Sequence, residues 1–180
     1  MSMEYWLKGD IPPGPIKATV ISNMKQLANI IKQHKKIMLI LGSELSKLEK
    51  LVNENILDKL ISISLNLEAD VVISSGDIAR RLDDEGYKNY KIMFPLEVIQ
   101  RLTLRNLEYN LAIFVGFHYY YEWLILNHLK HNAHKHLNTM SIEPYAQPNS
   151  TWTLPSLPLA VWYKNICQLE EEIKSTTIKQ

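Results

Sequence analysis

Two uninterrupted apolar runs, IMLIL at Ile37–Leu41 and LAIFV at Leu111–Val115, constrain this chain more than any other feature. Each has the length of a strand, and each ends at a glycine, Gly42 or Gly116. A strand with one wet face alternates apolar and polar residues, so a run without alternation is covered on both sides. Such strands belong to parallel sheets, whose crossover connections lay helices over both faces.

The intervening segments supply those helices. Met24, Leu27, Ile30 and Ile31 share one helical face, with Ser22 in position to cap it. Leu45, Leu48, Leu51 and Val52, then Leu57, Leu60, Ile61 and Leu65, continue the helical spacing after Ser43, a candidate cap, with a break near Asn53–Asn55. ADVVISSG reads as a second strand, DIARRLDDEG as a short helix stopped by Gly86, and YKIMF as a third strand. Pro95 opens a helix to about Thr103, and Tyr119–His131 is helical. LNTMSIEP and STWTL give a fifth and a sixth strand. Pro155–Lys174 forms a closing helix with Val161, Ile166, Leu169 and Ile173 facing inward. This alternation predicts an α/β fold: a single doubly wound, Rossmann-like parallel sheet of about six strands in the order 3-2-1-4-5-6, with helices on both faces. Residues 21–180 make up that domain. Residues 1–20, with Pro12, Pro13, Gly14 and Pro15, form an extended arm across the domain or a neighbour.

Composition narrows the function. Hydrophobic residues make up 46% of the 180, enough for one globular core. Twenty basic against nineteen acidic residues leave a charge of +1, so no basic face for nucleic acid is expected. The start carries no signal peptide and the apolar runs are too short to cross a membrane, which predicts a cytoplasmic protein. The single cysteine, Cys167, excludes an internal disulfide and a self-contained iron–sulfur cluster; it reads as a small buried helix residue.

Ligands of such sheets lie at the carboxyl ends of the strands where the order reverses, here between Leu41 and Val115. Gly42-Ser43 and Gly116-Phe117 stand on that edge, with Ser74-Ser75-Gly76 beside them, and the helix N-termini beyond suit phosphate oxygens. The dinucleotide fingerprint is missing, however, because G-S-E-L-S-K holds a single glycine and Glu44 sets a carboxylate where phosphates would lie. A nucleotide pocket and an empty crevice both remain open. Tyr119, Tyr120, Tyr121 and Trp123 cannot all turn inward on one helix, so some meet a protein partner or stack on a flavin or adenine ring. His128, His131, His134 and His136 lack HExxH or CxxC company and read as surface residues suited to a helix C-terminus, not as metal ligands. No nucleophile–base–acid set can be assembled, so neither a catalytic residue nor independent catalysis is expected.

IPPGP, HKKIMLILGSEL, YNLAIFVGFHYYYEWLILNHLK and HLNTMSIEPYAQPNSTWTLPSLPLAVWYKNICQLEEEI occur here in one order. In them the chain resembles the epsilon subunit of the archaeal acetyl-CoA decarbonylase/synthase (carbon monoxide dehydrogenase) complex. Ser74–Arg105 follows the family more loosely. The resemblance implies a DHS-like NAD/FAD-binding type of Rossmann-related domain, the group that includes sirtuins. It implies a non-catalytic accessory subunit of the large alpha subunit in an alpha2epsilon2 carbon monoxide dehydrogenase component, with an epsilon homo-oligomer as a further arrangement. Nickel and iron–sulfur clusters are expected only in that partner, and the expected role is to stabilise it or to assist electron transfer to FAD. Gly42, Ser43, Gly116 and Phe117 match the family's strand ends and are the candidate FAD contacts; no tightly bound cofactor is expected. The alternatives are a free-standing NAD- or FAD-binding protein and a sirtuin-like enzyme, the latter lacking its paired cysteines.

Overall fold

A computed structural model describes residues 14–104 and 109–177. Seven strands, β1 (Thr19–Val20), β2 (Ile37–Leu41), β3 (Asp70–Ile73), β4 (Tyr90–Ile92), β5 (Leu111–Val115), β6 (Asn138–Ser141) and β7 (Trp152–Thr153), alternate with helices. The helices are α1 (Met24–Lys32), α2 (Leu45–Val52), α3 (Ile56–Leu67), α4 (Gly76–Asp84), α5 (Pro95–Thr103), α6 (Tyr119–Asn132) and α7 (Leu159–Thr177). Every strand pair is parallel, in the order β1-β7-β6-β5-β2-β3-β4. The order therefore differs from the expected one. A seventh strand, β1, lies outside β7, and the six expected strands run between it and the far edge β4.

The central strands are buried along their whole length, and their side chains divide by parity. Leu39, Leu41, Val71, Ile73, Ile113 and Val115 join the larger apolar core with α1, α3, α4 and α7. Met38, Ile40, Val72, Ala112 and Phe114 meet α5 and α6 on the other face. This is the two-sided cover that the unbroken apolar runs demand.

Local chemistry corrects several sequence expectations. Asn23, not Ser22, caps α1, its side chain accepting from the Gln26 amide at 3.0 Å. Ser43 caps nothing: Glu44 is the residue before α2 and makes no side-chain cap bond. The break at Asn53–Asn55 is real, with Asn53 left-handed and Asn55 capping α3. The last helix starts at Leu159 rather than Pro155. Pro158 forces Leu157 out of the helical region, and its own carbonyl accepts the Val161 and Trp162 amides. Trp162 takes the inward position, its indole donating to Ile142 O at 2.8 Å, so Val161 turns outward. Cys167 is half-buried, because α7 shows part of its surface to water.

Pro12 and Pro13 of the expected arm lie outside the described residues. From Gly14 onward the chain crosses the end of α6, where a β-carbon on Gly14 would collide with the Lys130 side chain. Lys130 is buried, donates to Asn149 Oδ1 at 3.0 Å, and desolvation draws its ammonium below the usual lysine range.

One buried carboxylate joins three helices. Glu49 of α2 accepts the Ile56 and Leu57 amides at 3.0 and 2.9 Å, filling the donor set at the start of α3, and pairs with Arg81 of α4 at 2.5 Å. Glu49→Ala strands two amides and a guanidinium together. Urea unfolding followed by circular dichroism should show a loss of ~3 kcal/mol.

Candidate functional site

The connections after β2 and β5 leave on opposite faces of the sheet, one toward α2 and α3, the other toward α6. That divergence marks the switch point where α/β sheets hold ligands. β2 and β5 are direct neighbours, with Leu41 opposite Val115. The two strand ends anticipated from sequence therefore meet here. Gly116 has a φ of +82°, which glycine adopts without strain.

The glycines are pressed against each other. A β-carbon on Gly42 would strike the Gly116 carbonyl and come within 2.8 Å of the Phe117 ring. One on Gly116 would lie 2.9 Å from Leu45 Cβ. Backbone bonds seal the contact: Gly42 N–H to Val115 O at 2.9 Å, and Glu44 N–H to Gly116 O at 2.8 Å. Ser43 is exposed on the loop above. Phe117 is buried and meets Phe114 edge-on, with centroids 5.9 Å apart.

Carboxyl groups fill the polar positions around this junction. Glu143, just past β6, is buried and accepts the Phe117 amide at 2.7 Å, with the Gly116 amide as a second donor. Burial pushes its acid up to about 8, with the nearby charge of Glu44 adding to the rise and the two amides opposing it. Glu122, in the first turn of α6, is fully buried; desolvation, then Glu143, hold it well above the ordinary carboxyl range. Gln147 Nε2 donates to Glu122 Oε2 and to the Tyr119 carbonyl, each at 3.0 Å. Glu44, at the start of α2, lies 3.0 Å from His118 Nε2 and 3.2 Å from Lys47 Nζ.

Above the junction opens a cavity of about 220 Å³, lined by Leu48, Leu51, Phe117, Tyr119, Tyr145 and Leu159 among others. A second hollow of about 350 Å³ shares Leu51 and Leu159 with it and extends to Tyr163. Of the lining residues Tyr145 is 56% exposed and Leu51 61%, and Tyr120, 66% exposed, stacks on the lining residue His118 with centroids 5.7 Å apart. Tyr121, by contrast, packs partly into the core. A broader depression of about 640 Å³ lies off the crevice, and its Glu49 and Arg81 already satisfy each other.

His128, His131 and His136 have separate partners, while the buried Nδ1 of His134 has none among the described residues. His128 Nε2 lies 3.3 Å from Thr103 Oγ1, His131 Nδ1 2.8 Å from Asn127 O, and His136 Nε2 3.2 Å from Leu102 O. Among the described residues no three His, Cys, Asp or Glu side chains are placed to hold a metal ion. No described helix is long and apolar enough to cross a membrane. Sequence reasoning singled out Glu44 but missed Glu122, Glu143 and Gln147. The one available signal was SIEP, a carboxylate directly after an apolar strand end.

Two variants report on this junction. Gly42→Ala drives a methyl group into backbone, and thermal denaturation should register a loss of ~3 kcal/mol. For Glu143, the folded chain holds a proton that the unfolded chain releases between its ordinary value of 4.5 and about 8. Stability from this group is thus complete below that window and lost as pH rises through it. Glu143→Gln keeps an acceptor for the amides without the ionisation. Its melting temperature should fall less than the parent's over the same range, by ~5 °C.

Across this sheet, junction and cavity, the family model described as CO dehydrogenase beta subunit/acetyl-CoA synthase epsilon subunit matches residues 9–169.

Proposed function

The chain belongs to the CO dehydrogenase beta subunit/acetyl-CoA synthase epsilon subunit family, and from that premise we propose a non-catalytic accessory subunit that docks through the tyrosine-lined switch point. Membership implies association within the carbon monoxide dehydrogenase/acetyl-CoA synthase complex. The partner in this reading is the large alpha subunit, in an alpha2epsilon2 component, and the role is to stabilise it.

The supporting observation is the pairing of exposed aromatics with concave space. Tyr119 and Tyr145 line a cavity of about 220 Å³, and the exposed Tyr120 stacks on His118 of its wall; the space is the size for one anchoring side chain rather than a dinucleotide. Rigid aromatic rims give contact area at small entropic cost.

Electron transfer through FAD finds less support. The Gly116 and Phe117 amides, which would face a diphosphate, are taken by Glu143, and Glu44 stands at the start of α2. Gly42 uses its missing side chain to admit Gly116 rather than a ligand. The residues of this chain do not fit FAD as a bound group, and no step is routed through it.

Co-expression with the large subunit tests the reading. Tyr120→Ser combined with Tyr145→Ser should keep the isolated chain's melting temperature and weaken binding at least ~10-fold, since each lost aromatic anchor costs ~1–2 kcal/mol. Unchanged affinity would remove the switch point as the docking surface. Calorimetric titration of the isolated chain with FAD should give no binding heat, whereas stoichiometric uptake would move the reading to electron transfer.

A further inference from the structure

The sheet has a second exposed apolar feature, remote from the switch point. β4 is the outer strand, and among the described residues nothing pairs with its free side. The extended backbone continues through Phe94, the residue before α5, whose φ and ψ are −69° and 147°. Along it Ile92 is 64% exposed and Phe94 78%, and Leu96 at the start of α5 is 71% exposed. An open edge with large apolar side chains is a template for another strand.

The hydrogen-bond register says which groups are free. Ile92 pairs with Ile73, and the Met93 amide donates to Ile73 O at 3.1 Å. In a parallel ladder alternate residues turn both backbone groups to the neighbour, so Lys91 and Met93 face β3. Tyr90 and Ile92 therefore turn theirs outward, and at Phe94 only the amide is left to do so, because its carbonyl accepts the Val98 amide of α5 at 3.1 Å.

We propose that this edge is a two-fold homodimer interface, in which β4 pairs antiparallel with β4 of a second copy centred on Ile92. The occupant follows from self-complementarity. With Ile92 opposite its own copy, Tyr90 meets Phe94 of the second chain in both halves, and Lys91 meets Met93. Ile92 then exchanges both backbone bonds with its copy, and in each half the Phe94 amide donates to the Tyr90 carbonyl of the second chain. The cross-strand pairs on one face are aliphatic on aliphatic and aromatic on aromatic, and no like charges stand opposite. Shifting the centre to Lys91 would oppose two lysines and present the wrong backbone groups. The isologous contact joins two seven-stranded sheets into one and closes on itself.

Sedimentation analysis of the full chain over a wide concentration range tests this. The parent should be a dimer, and Ile92→Lys, which sets two ammonium groups face to face at an exposed position, should be a monomer with unchanged circular dichroism. A disulfide test reads the register. In a Cys167→Ser background, Ile92→Cys should oxidise to a covalent dimer, because the paired α-carbons stand ~5.5 Å apart. Phe94→Cys, which faces Tyr90 of the second copy, should not. A monomeric parent at all concentrations, a dimer indifferent to Ile92→Lys, or equal crosslinking of both cysteine variants would each overturn the proposal. None of these readouts involves the switch point, so failure here leaves the docking reading standing.

Discussion

The structure depends on two strand ends being able to touch. β2 and β5 carry the centre of the sheet, and their continuations must part toward opposite faces immediately after Leu41 and Val115. Any β-carbon at Gly42 or Gly116 would hold the loops apart. With both absent, the backbone of one loop bonds the other, Phe117 closes over the contact, and α2 and α6 start from fixed positions. Glycine's conformational cost is accepted at the two places where close approach matters more than entropy. In dinucleotide-binding sheets the same freedom admits a ligand's phosphates. Here it admits another piece of the same chain.

That substitution of self for ligand explains the unusual carboxyl chemistry. Amides at a turn leading into a helix are unsatisfied donors, and something must accept from them. Glu143 does so from inside the core, and at neutral pH burial keeps much of its population protonated. Glu122 beneath it stays neutral for the same reason. A neutral carboxyl pair avoids the cost of two buried like charges while still offering acceptor oxygens. The outcome is a polar floor beneath the cavity, built from buried carboxyl groups rather than from a ligand.

The pattern of what could be read in advance is physical. Strands β2, β3 and β5 and the pairing of β2 with β5 were legible because an unbroken apolar run has few other solutions. Asn53 and Asn55 were legible because asparagine tolerates the left-handed turn and caps well. The exposed Tyr120 followed from crowding on one helix. β1 was hidden because two residues, Thr19 and Val20, carry no periodicity of their own and gain strand character only from β7. Glu122 and Glu143 were hidden because a carboxylate in sequence reads as solvent-facing, and only tertiary contact shows otherwise. The outward turn of Val161 was lost to its larger neighbour Trp162, which competes for the same core position.

The edge strand β1 also bears on how the chain is made. Its partners Trp152 and Thr153 lie more than a hundred residues downstream, and the crossing at Gly14 rests on a lysine near the end of α6. A ribosome delivers the N-terminus first, so this strand must wait, unpaired, while six others assemble. The earliest described strand is the last to find its neighbour, and nascent chains released before Thr153 emerges would carry it with no ladder to join.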